Sequence, residues 1–170
     1  MAHPIPQEHR ALRNVLGSFA TGVTVITTLE ERDHRPVGLT VNSFCSISLS
    51  PALVLWSIAK SSPSRELFGE GQSHVIHILA DNQMALARQF ATPQADKFLG
   101  VDYQIPDGFP APLINGCTAR LYCQTDQVMS GGDHNMILAK VLHYELAEAP
   151  PLLFSRGNFL SALTCSSTRG

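Results

Sequence analysis

At 170 residues and 18.5 kDa the chain has room for one domain with a sizeable core and little room for two. A hydrophobic fraction of 44% against a charged fraction of 15% describes a globular protein of low surface charge. A formal charge of −2 with no Lys/Arg-rich run excludes a nucleic-acid footprint, and no apolar run is long enough to cross a bilayer.

In chain order, residues 7–20 carry Leu12, Val15, Leu16 and Phe19 at helical spacing, and Thr21-Gly22 ends that helix. Residues 23–29 read as a β-branched strand, followed by a charged hairpin tip over 30–35. Two further strands, 36–48 and 52–59, are separated by a turn at Ser50-Pro51. Residues 61–68 open a helix with Ser62 as N-cap and Pro63 at the first helical position. Residues 75–79 form the next strand, and Asp81 caps a helix over 82–90. The stretch 92–112, with Gly100, Pro106, Gly108, Pro110 and Pro112, is turn-rich and loosely patterned. A strand over 119–125, a turn at Gly131-Gly132-Asp133-His134 and a strand over 135–146 follow. The Pro150-Pro151 break leads to a short strand or turn at 152–154.

Many hairpin-joined strands with two or three helices predict a mainly β fold, an antiparallel barrel closed or half closed. A parallel Rossmann sheet fits poorly, because no G-x-G-x-x-G follows a strand and strand does not alternate regularly with helix. The whole chain, 1–170, reads as one domain, with 1–10 and 161–170 as flexible tails. The N-terminus lacks an apolar stretch, so no signal peptide is expected and the protein reads as cytoplasmic. Low surface charge leaves room for a buried subunit interface, so a homodimer is expected. Cys45, Cys117, Cys123 and Cys165 form no C-x-x-C pair and no disulfide framework. The seven histidines make no H-E-x-x-H element; His74 and His77 read as strand-edge residues, and no metal site is expected.

Three segments are suited to chemistry. Gly38 to Pro51 places Thr40, Asn42, Ser43, Ser46, Ser48 and Ser50 in strand-like sequence. Hydroxyls and amides so spaced can bind a heteroatom-rich ligand against an apolar wall, or merely face water on a strand with a bulge at Asn42. Ser57 to Ser62 sets three hydroxyls and Lys60 at a strand-to-helix junction, either a phosphate cradle or a polar loop with an N-cap. Gly131-Gly132-Asp133-His134 presents an imidazole after a flexible turn, as a ligand contact or as exposed polar decoration. No Ser-His-Asp or Cys-His arrangement emerges.

Further landmarks are Phe19-Ala-Thr-Gly-Val-Thr-Val-Ile-Thr-Thr28, Gln89-Phe-Ala91, Phe98-Leu-Gly100 and Pro151-Leu-Leu-Phe-Ser-Arg-Gly-Asn-Phe159. In order and spacing the set resembles the short-chain NAD(P)H:flavin reductase family, the reductase components of two-component flavin-dependent monooxygenases, from Leu12 to about Leu160. The resemblance implies a homodimeric FMN-binding split β-barrel. Thr40, Val41, Asn42 and Ser43 would line the isoalloxazine and ribityl portion of the flavin. Ser57, Ile58, Ser61 and Ser62, with Lys60 nearby, would hold its phosphate end; Phe90 would pack near the flavin, and His134 would stand at the nicotinamide side. The implied cofactors are FMN, with FAD as the alternative, and NADH as hydride donor, with NADPH as the alternative. NADH is favoured because no arginine cluster suited to a 2′-phosphate is visible. The implied partner is a separate oxygenase that receives reduced flavin. Where a tyrosine is frequent the chain has Asn158-Phe159, so a hydroxyl contact is lost. Two other readings are a non-catalytic flavin carrier or sensor on the same barrel and an oxidase of a pyridoxine-type phosphate. The first leaves the Gly-Asp-His element without a task, and the second wants more basic residues.

Overall fold

The computed structural model describes residues 7–162; most of both expected tails, and Cys165, lie outside the described residues. The elements are α1 (Gln7–Leu16), β1 (Thr21–Gly22), β2 (Thr24–Glu30), β3 (Arg35–Val41), β4 (Cys45–Leu49), β5 (Ala52–Ala59), β6 (Ser73–Ile78), α2 (Met84–Ala91), β7 (Tyr103–Gln104), β8 (Leu113–Ile114), β9 (Ala119–Gly131), β10 (His134–Leu146), β11 (Leu152–Ser155) and β12 (Asn158–Ser161). The fold is mainly β, as the sequence predicts, and every ladder is antiparallel. Neither helix is long and apolar enough to cross a membrane.

A seven-stranded sheet in the order β3-β2-β6-β9-β10-β5-β4 dominates the molecule. Its two edge strands, β3 and β4, are consecutive in the chain and joined only by Asn42, Ser43 and Phe44. Laid flat, six inter-strand gaps would separate those edges by about 29 Å. Four Cα–Cα steps reach at most about 14 Å. The sheet is therefore curled until its edges approach each other. The sequence reading of one strand over 36–48 is corrected at this corner, where the chain must leave one edge and begin the other.

Both faces of the curled sheet are covered. Ile26, Val54, Trp56, Ile58, Phe68, Ile76 and Ile137 fill one side, while Val23, Val25, Leu79, Ala87, Phe90, Phe98 and Leu152 pack the other against α2. Burial on both faces explains why β2 is β-branched from Thr24 to Thr28 and buried through Leu29. Its three threonine hydroxyls donate to Val41 O at 2.7 Å, Pro112 O at 2.6 Å and Ser73 O at 2.8 Å, so each is satisfied.

Several boundaries differ from the sequence reading. Helix α1 ends at Leu16, where Gly17 N–H donates to Arg13 O and Gly17 O accepts from Arg156 N–H at 2.7 Å. Thr21-Gly22 is not a helix end but β1, paired with β11. The apolar stripe of α1 is real, yet Leu12, Val15, Leu16 and Phe19 are all exposed. The helix expected over 61–68 is a turn followed by a single 3₁₀ turn, Arg65–Phe68; Ser62 does not cap it, and its hydroxyl meets Ser64 Oγ at 3.2 Å. One turn suffices because Phe68 must plunge into the interior, where its ring meets Trp56 edge-on at 5.0 Å. Asp81 opens a second 3₁₀ turn ahead of α2 and accepts the Ser161 hydroxyl instead of capping a helix. The expected strand 119–125 runs on to Gly131, because its β10 partner continues alongside it.

His74 and His77 are not strand-edge residues. Strand β6 is internal to the sheet, and both side chains are fully buried. Ile114 N–H donates to His77 Nε2 at 3.1 Å, so Nδ1 carries the proton and donates to Val25 O at 3.0 Å. Trp56 Nε1–H donates to His74 Nε2 at 3.3 Å. Desolvation lowers His74 to about 4 and His77 to about 3, so both are neutral in the fold.

Phe90, fully buried, stands edge-on to Phe98 at 4.9 Å and directly behind Gly38 of β3. A Cβ added at Gly38 would lie 2.5 Å from Phe90 Cε1. Gly38 is thus required for α2 to approach the sheet. Gly38→Ala is expected to lower stability by about 1–3 kcal/mol in urea unfolding, whereas an unchanged midpoint would mean that the Phe90 ring moves aside freely. The buried histidines predict an acid response. Their folded pKa values lie below the unfolded 6.5, so their full contribution is present above pH 6.5 and declines as pH falls below it. Between pH 6.5 and 5 each should cost about 2 kcal/mol. Thermal melts across that interval should show a steep drop in midpoint, and a flat profile would contradict neutral burial of the pair.

Candidate functional site

The corner that joins the sheet edges carries the first candidate residues. On β3, Thr40 turns its hydroxyl to Ala87 O of α2 at 2.6 Å, which fixes the strand to the helix and commits that hydroxyl. Val41 is buried, and its carbonyl accepts from Thr24. Asn42 is exposed at the corner, and its amide has no partner among the described residues. Ser43 ties the corner to β5: Ser57 N–H donates to Ser43 Oγ at 2.9 Å. Ile58, the next β5 residue, is buried in the interior cluster. Phe90, at 0% exposure, lies behind this surface and not on it.

At the far end of β5 the order is different from a phosphate cradle on a helix. The helical turn that comes next in the chain, Arg65–Phe68, has only four residues. Lys60 Nζ donates to Ser130 Oγ and to Gly132 O, both at 2.7 Å, and Lys60 N–H donates to Asp133 O at 2.9 Å. Ser61 is exposed and Ser62 half-buried beside Ser64. Arg65, which the sequence reading did not single out, donates to Lys60 O at 2.6 Å.

His134 begins β10 just after the hairpin tip, where Gly132 adopts a φ of 66° that glycine tolerates without strain. Its Nδ1 lies 2.7 Å from Asp133 Oδ1. That hydrogen bond is the main reason the Asp133 carboxyl sits below its usual range. Asn42, Asp133 and His134 meet in one groove of about 1030 Å³. The groove is bounded on the other side by α1, the β1 start and the β11–β12 turn, including Arg13, Thr21 and Arg156. A smaller hollow of about 410 Å³ beside α2 includes none of these residues.

The structure thus brings Asn42 together with His134, joins Ser43 to Ser57, and fastens Lys60 to the His134 hairpin. Thr40, Val41, Ile58 and Phe90 shape the wall from within or behind. Three groove residues escaped the sequence reading. Thr21 was read as the end of a helix, and Arg13 was not singled out. Arg156 sits with φ 49° in the two-residue β11–β12 turn, for which Arg156-Gly157 ahead of an aromatic strand was the available signal. Arg13 and Arg156 line one groove, and neither guanidinium has a partner among the described residues.

The groove fits a ligand rich in heteroatoms. Thr21 Oγ1 is a buried oxygen with no hydrogen-bond partner, the one such side-chain atom found among the described residues, and it belongs to the groove wall. A buried hydroxyl left unpaired costs about 1–3 kcal/mol, so a donor or acceptor arriving there recovers that cost. Covalent catalysis by a buried thiol finds no support, since burial pushes Cys117 up to about 11 and Cys123 up to about 12. No cluster of three or more His, Cys, Asp or Glu residues suited to a metal occurs among the described residues. Phe159, at the position where a tyrosine was noted as frequent, packs on Phe154 at 5.2 Å and beneath the Arg88 guanidinium.

Residues 16–162 match the model of the flavin reductase like domain. The chain is 41% identical over 156 residues to an FMN reductase (NADH) of Agrobacterium fabrum, covering 92% of this chain and 87% of that one. It is 39% identical over 158 residues to the reductase component of the flavin-dependent trigonelline monooxygenase of Acinetobacter baylyi, covering 93% of this chain but only 50% of that longer relative. Among solved structures, the NADH:FAD oxidoreductase of Streptomyces globisporus C-1027, in complex with NAD and FAD fragments, superposes with a TM-score of 0.83 at 36% identity, over 94% of this chain and 96% of that one. A nitrilotriacetate monooxygenase component B homologue from Mycobacterium thermoresistibile gives a TM-score of 0.87 at 34% identity, over 98% and 93%. Matched over nearly its whole described length in sequence and in fold, the chain belongs to the flavin reductase like domain family.

Proposed function

We propose that the protein is an NADH-dependent flavin reductase that passes hydride to FMN or FAD and releases the reduced flavin to a separate monooxygenase. The observation that carries this reading is the meeting of Asn42, at the β3–β4 corner, and His134, at the start of β10, in one groove with an unpaired buried hydroxyl. The flavin and the nicotinamide supply the redox reactivity themselves. What remains for the chain is to bind, to orient and to exclude water.

Asn42 and Ser43 offer neutral hydrogen-bonding groups at the corner, backed by Val41, by Thr40 fixed to α2, and by Phe90 behind Gly38. Neutral contacts of this kind are worth about 1 kcal/mol each, which suits a flavin that must leave after reduction. Ser57, Ser61 and Ser62, with Arg65 beside them, supply hydroxyls and one guanidinium for the phosphate end. In the same groove, His134 orients the nicotinamide, with its Nδ1 held by Asp133. Arg13 and Arg156 supply positive charge for the dinucleotide phosphates. NADH remains the favoured donor on the names of the relatives, an FMN reductase (NADH) and an NADH-dependent FAD reductase.

We read the curled sheet as a split barrel and the molecule as a homodimer acting in the cytoplasm. Exposed Ile47 and Leu49 on β4, and Leu142, Tyr144 and Leu146 at the end of β10, leave apolar surface for a second copy to cover. A non-catalytic flavin carrier on the same fold would leave the arginines and the Asp133–His134 pair of the groove without a task.

Steady-state NADH oxidation with no flavin, riboflavin, FMN or FAD tests the reading. Oxidation is expected only with flavin present, saturating in flavin. His134→Ala should raise the apparent KM for NADH several-fold while leaving flavin affinity within about twofold, since its loss removes one contact from the nicotinamide side. Flavin binding without oxidation of either nicotinamide nucleotide would favour the carrier instead.

A further inference from the structure

A hairpin tip built on Gly131-Gly132 is a poor platform for a ligand-orienting histidine unless something outside the hairpin holds it. The β9–β10 ladder closes at His134↔Gly131, and the β5–β10 ladder ends at His134↔Ala59, so no strand pairing restrains the turn beyond that point. Ser130, Gly132 and Asp133 are all exposed. Lys60 is the first residue past the end of the β5 ladder, and it makes three hydrogen bonds to the tip. Its N–H donates to Asp133 O at 2.9 Å, and its ammonium donates to Gly132 O and Ser130 Oγ at 2.7 Å. Lys60 is anchored in turn, since Arg65 Nη1 donates to its carbonyl at 2.6 Å and Arg65 Nε pairs with Glu66.

From this we infer that Lys60 is a positioning residue for the nicotinamide half of the site: it latches the Gly131–His134 tip to the end of β5 and thereby sets where His134 stands in the groove. The inference rests on the reductase reading for its kinetic consequence, but the latch itself is a property of the fold. It also separates Lys60 from a flavin-phosphate role. Two of the three ammonium donors are committed to neutral acceptors on the hairpin. A methionine of similar length at position 60 would keep the backbone hydrogen bond to Asp133 and lose both ammonium contacts.

The test compares the parent with Lys60→Met and Lys60→Arg, using riboflavin and FMN as acceptors. Riboflavin lacks the phosphate, so the pair of acceptors distinguishes the two roles. A latch predicts that Lys60→Met raises the KM for NADH several-fold with both acceptors, leaves the ratio of FMN to riboflavin affinity unchanged, and is largely rescued by Lys60→Arg. A loss of FMN affinity with riboflavin turnover intact would overturn the latch in favour of a phosphate contact. Amide hydrogen exchange, which needs no turnover, reads the latch directly: the amides of Gly131 to Asn135 should exchange faster in Lys60→Met than in the parent. Unchanged exchange there would overturn the inference even if the enzyme is active. Parent protein that oxidises no NADH with any flavin would instead remove the reductase reading. Should Lys60→Met fail to fold, Ser130→Ala deletes one of the two ammonium acceptors and is expected to give a smaller change in exchange in the same direction, with no change overturning the latch.

Discussion

The three residues Asn42, Ser43 and Phe44 impose the constraint on which the rest of the structure depends. They connect the two edges of a seven-stranded sheet, and a link so short forces the sheet to curl upon itself. Curling creates an inside, which Trp56, Phe68, Ile26 and Ile137 fill, and an outside, which α2 and the β8 region cover. The same link leaves the corner itself without ladder partners on its polar atoms. Ser43 settles one of these by accepting from Ser57 N–H, and Asn42 is left to face the groove. The residues that close the sheet are thus also those most available to a ligand.

A second consequence is that the two halves of the site come from elements with different kinds of support. The corner half rests on packed structure: Thr40 bonded to α2, Gly38 pressed against Phe90, and Val41 in the interior. The hairpin half stands on a glycine turn and is fastened by side-chain hydrogen bonds from Lys60. Rigid support where the flavin ring would lie, and a fastened but exposed tip where the nicotinamide would lie, accord with a reaction in which orientation is the chief task of the protein.

Much of this was legible in the sequence. The alternation of short β-branched runs with turn residues specified an antiparallel, mainly β fold, and the order of the Thr-Val-Asn-Ser, Gly-Asp-His and Pro-Leu-Leu-Phe segments pointed to the family that the matched residues bear out. Local pattern failed where tertiary structure decides. Ser62-Pro63 has the chemistry of a helix start, yet burial of Phe68 leaves space for one 3₁₀ turn. His74 and His77 have the polarity of edge residues, yet β6 lies inside the sheet, and each imidazole is retained because a specific N–H, from Trp56 or Ile114, reaches it. Arg13 and Arg156 are far apart in the chain and converge only because Gly17 O accepts from Arg156 N–H, which brings the end of α1 to the β11–β12 turn. A propensity scale registers none of these long-range contacts.

In the proposed reaction one groove presents the nicotinamide to the flavin in a single orientation, between the Asn42 corner and the His134 tip. Transfer from NADH deuterated on one or the other face of C4 tests it most directly. A fixed orientation predicts that NAD⁺ formed from one isotopologue keeps its deuterium and that formed from the other loses it. Product of mixed labelling from both, as expected when the two rings meet without a defined site, would contradict the account.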